Sequence, residues 1–195
     1  MSEVTLDRVD TLPPVIESLL NRASTARLIE PGPSPEHMEL LLRVAANAPD
    51  HGKLRPWRFV IVNTEARGRF GHLMAQSLHR RDPSAAPETL ERERDKVMRA
   101  PTILVAAAKV NPAHKIPVIE QVLAVAASVE NLLLGAQALG YGTMWKTGAP
   151  AYDDEFKRAL GFEAVDQILG FLYLGTPAAR SLPRNISTDG IARTF

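Results

Sequence analysis

Thr102-Ile103-Leu104-Val105-Ala106-Ala107-Ala108, the long segment Pro117 to Leu139 and the short run Gly142-Thr143-Met144-Trp145-Lys146 decide the fold class. The first is a continuous apolar run of strand length, as expected of a strand buried on both faces. The second is too long for a strand and too apolar for a loop, and Gly140 closes it as a helix. Extended structure resumes at Gly142. Glu120, Gln121, Glu130, Asn131 and Gln137 interrupt the apolar segment, so it reads as a buried helix rather than a membrane span.

Outward from this centre the rhythm repeats. Pro13-Pro14 opens a helix with Val15, Ile16, Leu19 and Leu20 on one face, and the stretch Arg22 to Pro33 ends it. Ser34 is the expected N-cap of a second helix, with Pro35 at its first position and Met38, Leu41, Leu42 and Ala45 inward until Pro49. Trp57 to Val62 predicts a strand, followed by a helix from about Thr64 with Phe70, Leu73, Met74 and Leu78 inside. Asp82 to Pro87 is a turn, and the dense charges from Glu88 to Arg99 predict a solvated helix. Pro150 to Leu160 reads as a short helix ended by Gly161, and Gln167 to Leu174 as the last strand. Strands separated by helices predict an α+β (α/β layered) domain, a mixed sheet flanked by helices. With 195 residues, 45% of them hydrophobic, one domain is expected, with an N-terminal extension over about residues 1–12 and a C-terminal arm over about 178–195.

Composition removes several classes of function. The 23 basic and 22 acidic residues leave a charge of +1, so no global field favours nucleic acid or an anionic membrane. Cysteine is absent, which excludes disulfides, thiolate metal sites and cysteine nucleophiles. His72 and His79 lie two turns apart on a helix, but the five histidines form no metal-ligand pattern, and no metal is expected. Neither a Rossmann glycine fingerprint, a P-loop nor a Gly-x-Ser-x-Gly elbow is present. The start, Met1-Ser2-Glu3-Val4, lacks a basic and apolar leader, and a cytoplasmic protein is expected.

The loop Arg22-Ala23-Ser24-Thr25-Ala26-Arg27 brackets hydroxyls with two guanidiniums, a pattern suited either to cradling an anion or to capping a helix and facing solvent. The order of motifs decides between them. Asn21-Arg22-x-Ser24, Ala48-Pro49-Asp50-His51, Pro56-Trp57-Arg58-Phe59, His114-Lys115-Ile116-Pro117, Gly142-x-x-Trp145-Lys146-Thr147-Gly148-Ala149 and Gly170-Phe171-Leu172-Tyr173-Leu174-Gly175-Thr176-Pro177 together resemble the nitroreductase family of flavin enzymes, closest to its small YdjA-type branch.

That resemblance implies a homodimer with FMN at the subunit interface, no membrane or nucleic-acid partner, and the C-terminal arm packed on the partner. It implies two-electron transfer from NADH or NADPH to a small organic acceptor, such as a nitroaromatic or quinone, by a ping-pong mechanism. The chemistry would reside at the flavin N5, so no catalytic side chain is expected. By position, Arg22, Ala23 and Ser24 would hold the phosphate and ribityl chain. Ala23 stands where the family has a second arginine, and Arg27, Arg180 or Arg184 could supply the missing charge. His51 and Asn47 match flavin-contacting positions of the branch, although a histidine after a helix also serves as a cap. Lys53 and Arg55 are suspected cations near the pyrimidine side of the flavin. Trp145, Lys146 and Thr147 match the segment whose backbone passes the flavin ring, while a packed tryptophan at a strand end is the plainer alternative. Gly135, Ala136, Gln137, Ala138, Leu139 and Gly140 align with a stretch linked to nicotinamide contact, or pack one helix closely on another. A reductive dehalogenase or dehydrogenase on the same cofactor, and a non-catalytic flavin-binding regulatory module, are the alternative functions.

Overall fold

The computed structural model describes residues 12–179, 181–183 and 186–195. Its elements in chain order are α1 (Pro14–Asn21), β1 (Leu28–Ile29), α2 (Pro35–Ala45), β2 (Trp57–Val62), α3 (Arg67–Arg81), α4 (Pro87–Asp95), β3 (Thr102–Ala108), α5 (Val118–Ala138), β4 (Gly142–Lys146), α6 (Asp154–Ala159) and β5 (Gln167–Pro177). The N-terminal extension up to residue 11, and Arg180 and Arg184, lie outside the described residues.

The sheet runs β1-β5-β3-β2, with β4 also on β5, and every pairing is antiparallel. The α+β class stands, but the expected mixed sheet is corrected in one respect. β3, α5 and β4 form the anticipated strand-helix-strand crossover, and β5 then inserts between the two strands. Residues 102–108 pair with 167–174 on one side of β5 and 142–146 with 171–175 on the other, so two parallel strands never meet. At Ala106/Ala107 the register shifts past Leu169. This bulge leaves the Leu169 carbonyl accepting from the Trp145 indole Nε1 at 3.1 Å.

Burial explains the layers. All seven residues of β3 are buried, as the sequence requires of a central strand. One face packs Phe70 of α3, Phe156 of α6 and Phe171 of β5 edge to face, with centroids 5.7–6.1 Å apart. The other face receives α2 and α5 through Leu41, Val129, Leu132 and Ala136 against Leu104, Leu172 and Leu174. By length and composition α5 could cross a membrane, yet this inner face belongs to the core.

Local signals place the helix ends. Ser34 accepts the His37 amide at 3.2 Å, as an N-cap does, and Pro35 starts α2. The charged segment after Pro87 is helical only to Asp95 and tightens into a 3-10 turn over Lys96–Arg99, because Val97 turns into the core. The stretch from 150 to 160 likewise divides into a 3-10 turn, Ala149–Tyr152, and α6. The division falls at Asp153, whose side chain caps the amides of Glu155 and Phe156.

The helix α1 forms where the prolines open it, but the shared apolar face is not covered. Its apolar residues share a face, but none is buried: Val15 is 70% exposed and Leu20 61%.

Candidate flavin site

Arg22 terminates α1, and its guanidinium Nε lies 3.8 Å from Glu130 on α5. Three residues later the Thr25 amide donates to the Thr143 carbonyl of β4 at 2.7 Å. The loop is therefore pinned at both ends, and Arg22, Ala23 and Ser24 line a cavity of about 700 Å³. Leu19 and Leu20 form one wall, and Leu182, Pro183 and Ile186 of the C-terminal arm form another. Among the described residues, one guanidinium and an exposed serine hydroxyl thus face a concave space, donors of the kind a phosphate requires.

Gln137 and Gly140 line an adjoining cavity of about 250 Å³ on the other side of Ala23. The Gln137 amide donates to the Ser18 carbonyl at 2.9 Å, tying α5 to α1. Gly135 instead permits close helix packing. A Cβ there would press on Leu41 and Val44 at 3.2–3.3 Å, so α2 and α5 approach closely at this point. Ala136 is buried and Leu139 half-buried, while Ala138 is exposed.

The second group stands apart. Asn47 is exposed beyond α2, and His51 opens the 3-10 turn His51–Lys53. His51 Nδ1 lies 2.5 Å from the Glu120 carboxylate in the first turn of α5. Lys53 and Arg55 both have positive φ, 55° and 50°, unusual for residues with a Cβ. The Arg55 amide donates to Asp50 at 2.6 Å, which holds the tight loop and turns both cationic side chains to the exterior.

The third group ends β4. Trp145 is 36% exposed, and its indole is hydrogen-bonded to the bulge. Gly170 creates the slot, since a Cβ there would collide with the indole and the Lys146 carbonyl. Lys146 points to the α3 face, with its Nζ 5.4 Å from the Tyr173 ring centroid. Burial, and then Arg99 and Lys96, lower the Lys146 pKa. Thr147 is exposed at the strand's end.

The first two groups are anchored at different points of α5. Glu120 and Glu130, the partners of His51 and Arg22, are ten residues apart on α5, about 15 Å along its axis. Neither acid was foreseeable from sequence. Their partners lie 69 and 108 positions away, and no local pattern marks a contact of that range.

A model of the Nitroreductase family matches residues 20–176. The chain is 34% identical over 166 residues to the Escherichia coli (strain K12) protein named "Putative NAD(P)H nitroreductase YdjA", covering 85% of this chain and 90% of that one. A Haemophilus influenzae protein, "Putative NAD(P)H nitroreductase", is 30% identical over 159 residues, covering 81% and 85%. Among solved structures, a nitroreductase-like family protein from Bacillus cereus superposes with a TM-score of 0.82 at 21% identity, covering 95% and 97%. A Desulfovibrio desulfuricans nitroreductase in complex with FMN superposes at 0.74 with 20% identity, covering 95% and 98%. The fold is the nitroreductase fold, and the chain belongs to the nitroreductase family, a family of oxidoreductases.

Proposed function

We propose that this protein is a homodimeric, FMN-dependent oxidoreductase that passes two electrons from NADH or NADPH to a small organic acceptor such as a nitroaromatic or quinone. The observation that carries the reading is the split site. Arg22 and His51 attach to different turns of α5, and the outward faces of α1 and α5 are apolar and bare. Val15, Ile16, Leu19 and Leu20 on α1 and Ile119 and Leu123 on α5 are each more than two-fifths exposed. A two-fold axis through α5 would cover these side chains and bring His51 of one subunit toward the Arg22 loop of the other. The arm's Leu182, Ile186, Ile191 and Phe195 are also bare in the single chain, in keeping with an arm that packs on a partner.

FMN fits the donors present. Arg22 would meet the phosphate with charge-assisted hydrogen bonds, drawn from its long contact with Glu130, and Ser24 would add a short one. Ala23 removes one cation from the family pattern. Asn47, His51 and the main chain of Trp145, Lys146 and Thr147 would border the ring, with Lys53 and Arg55 offering positive charge beside it. Bound FMN would supply the two-electron chemistry. The polypeptide's part is orientation, exclusion of water and positive charge, so no side chain need act as acid or base. Donor and acceptor would use the same exposed face in turn, giving ping-pong kinetics.

The test is spectroscopic. Purified protein should show flavin absorption that NADH or NADPH bleaches without oxygen and that an added quinone or nitroaromatic restores. Failure to take up FMN at micromolar concentration would overturn the reading. Sedimentation should find a dimer, and Leu123→Glu, which places a charge on the bare face of α5, should weaken it.

A further inference from the structure

The opposite face of the sheet holds a third cavity, which shares Lys146 and Thr147 with the proposed flavin site but whose other lining residues that site does not use. It has a volume of about 430 Å³, within the range of small-molecule sites, and lies between the end of α3, the turn Lys96–Arg99 and the end of β4. Met74, Leu78 and Phe171 give it an apolar wall. Four cations surround that wall: Arg81, Lys96, Arg99 and Lys146.

Glu93 is the one carboxylate in the lining, and it is engaged with Lys96 at 2.5 Å. Lys146 rests over the Tyr173 ring. Among the described residues, neither Arg81 nor Arg99 pairs with a carboxylate. Among the described residues the lining sets four positive groups against one negative, an excess of three, while Arg81 also borders the adjoining hollow that holds Asp153, Asp154 and Glu155. Solvated surface charges ordinarily diverge into water. Here Arg81 and Arg99 are exposed, yet with the half-buried Lys96 and Lys146 they border one apolar wall, and each raises the cost of charging the others. A bound anion would remove that repulsion. The excess of three favours a dianion over a monoanion, and two forked guanidiniums match the oxygens of a phosphate.

We propose that this cavity binds a phosphate monoester carried on a planar apolar body, such as an aryl phosphate or a mononucleotide. The phosphate lies between Arg81 and Arg99, and the ring lies against Met74 and Leu78. The site is separate from the Arg22 cavity: Lys146 serves it from the face of the sheet opposite α5.

FMN is itself a phosphate monoester, so the experiment uses protein loaded with FMN and then freed of unbound FMN, in phosphate-free buffer of low ionic strength. Naphthyl phosphate should bind one site per chain in calorimetric titration, about tenfold or more tighter than inorganic phosphate, because only the former buries apolar surface. Arg81→Ala and Arg99→Ala should each weaken binding about tenfold, whereas Arg69→Ala, the same charge change at an exposed position on α3, should leave it unaltered. No binding at millimolar concentration overturns the proposal. So does equal affinity for inorganic phosphate, and so does unchanged affinity in both cavity variants, which would place the probe over the flavin. Flavin loading is read separately from its absorption, so a failure of the cofactor reading is distinguishable from a failure of this site.

Discussion

The two faces of the sheet are finished differently. The α3/α6 face, apart from the cationic cavity at its edge, is packed within the chain: Phe70, Phe156 and Phe171 interlock, Phe156 is fully buried, and Asp153 caps the helix that carries it. The α1/α5 face buries one side of α5 as tightly, then stops, leaving Ile119 61% and Leu123 58% exposed. The same apolar residue types occur in both layers, so hydrophobicity alone does not distinguish them. The difference is that one layer finds its cover within the chain, while the other presents a surface suited to a second copy.

Phe156→Ala should produce the largest effect, because it removes a fully buried ring from the aromatic cluster. A loss of about 3–5 kcal/mol in denaturant unfolding is expected, independent of protein concentration. Leu123→Ala is the counterpart on the open face. If two chains meet across α5 as proposed, its cost should depend on concentration, because association would cover that side chain. Equal, concentration-independent losses would erase the contrast between the faces.

The next effect is on the cofactor. Arg22→Ala should weaken FMN binding by about 1.5–3 kcal/mol through loss of a charge-assisted contact. Arg27→Ala should cost less, since Arg27 does not line the cavity with Arg22, Ala23 and Ser24. Flavin titrations showing equal losses, or none for Arg22→Ala, would remove Arg22 as the main phosphate ligand.

Much of this architecture is legible in the sequence because its causes are local. The apolar run of β3, the Ser34 cap and Pro35 start of α2, and Gly140 after α5 each leave a signal within a few residues. What escapes is set by contacts distant in sequence. The insertion of β5 between β3 and β4 makes the sheet antiparallel, yet no residue near the crossover announces it. Amphipathic spacing located the apolar face of α1 but could not say that it stays exposed among the described residues. At the site, Arg22 and Ser24 were recognisable as a motif, whereas the anchors Glu130 and Glu120 and the cationic cavity around Arg99 exist only once the chain folds.

A smaller prediction concerns the closed face in acid. Burial opposes charge on Asp153, but the Ser77 hydroxyl, Arg80 with its guanidinium 2.6 Å away, and the Phe156 amide outweigh it and hold the pKa down to about 2 from an ordinary 3.8. A depressed carboxyl stabilises the fold above its unfolded pKa and loses that contribution as pH falls from about 4 to about 2. The contribution is about 2 kcal/mol at most. Asp153→Asn retains a helix cap but not the charge. Its stability deficit relative to the parent should be full at pH 6 and shrink through that window. A deficit unchanged from pH 6 to pH 2 would mean that the ion pair contributes nothing.

His51→Ala should have the smallest effect on stability and is the most discriminating test of the open face. The His51–Glu120 pair is exposed, with side-chain accessibilities of 65% and 41%, and exposed pairs contribute only about 0.2–1 kcal/mol. Unfolding should therefore change little. If two chains meet across α5, however, this side chain lies at the other subunit's flavin, and its loss should lower FMN affinity or shift the flavin reduction potential in a protein that remains folded and dimeric. A purely structural histidine would alter neither. Unchanged affinity, potential and turnover in His51→Ala would leave the residue as a surface partner of Glu120, and the open face would then have to complete the site without it.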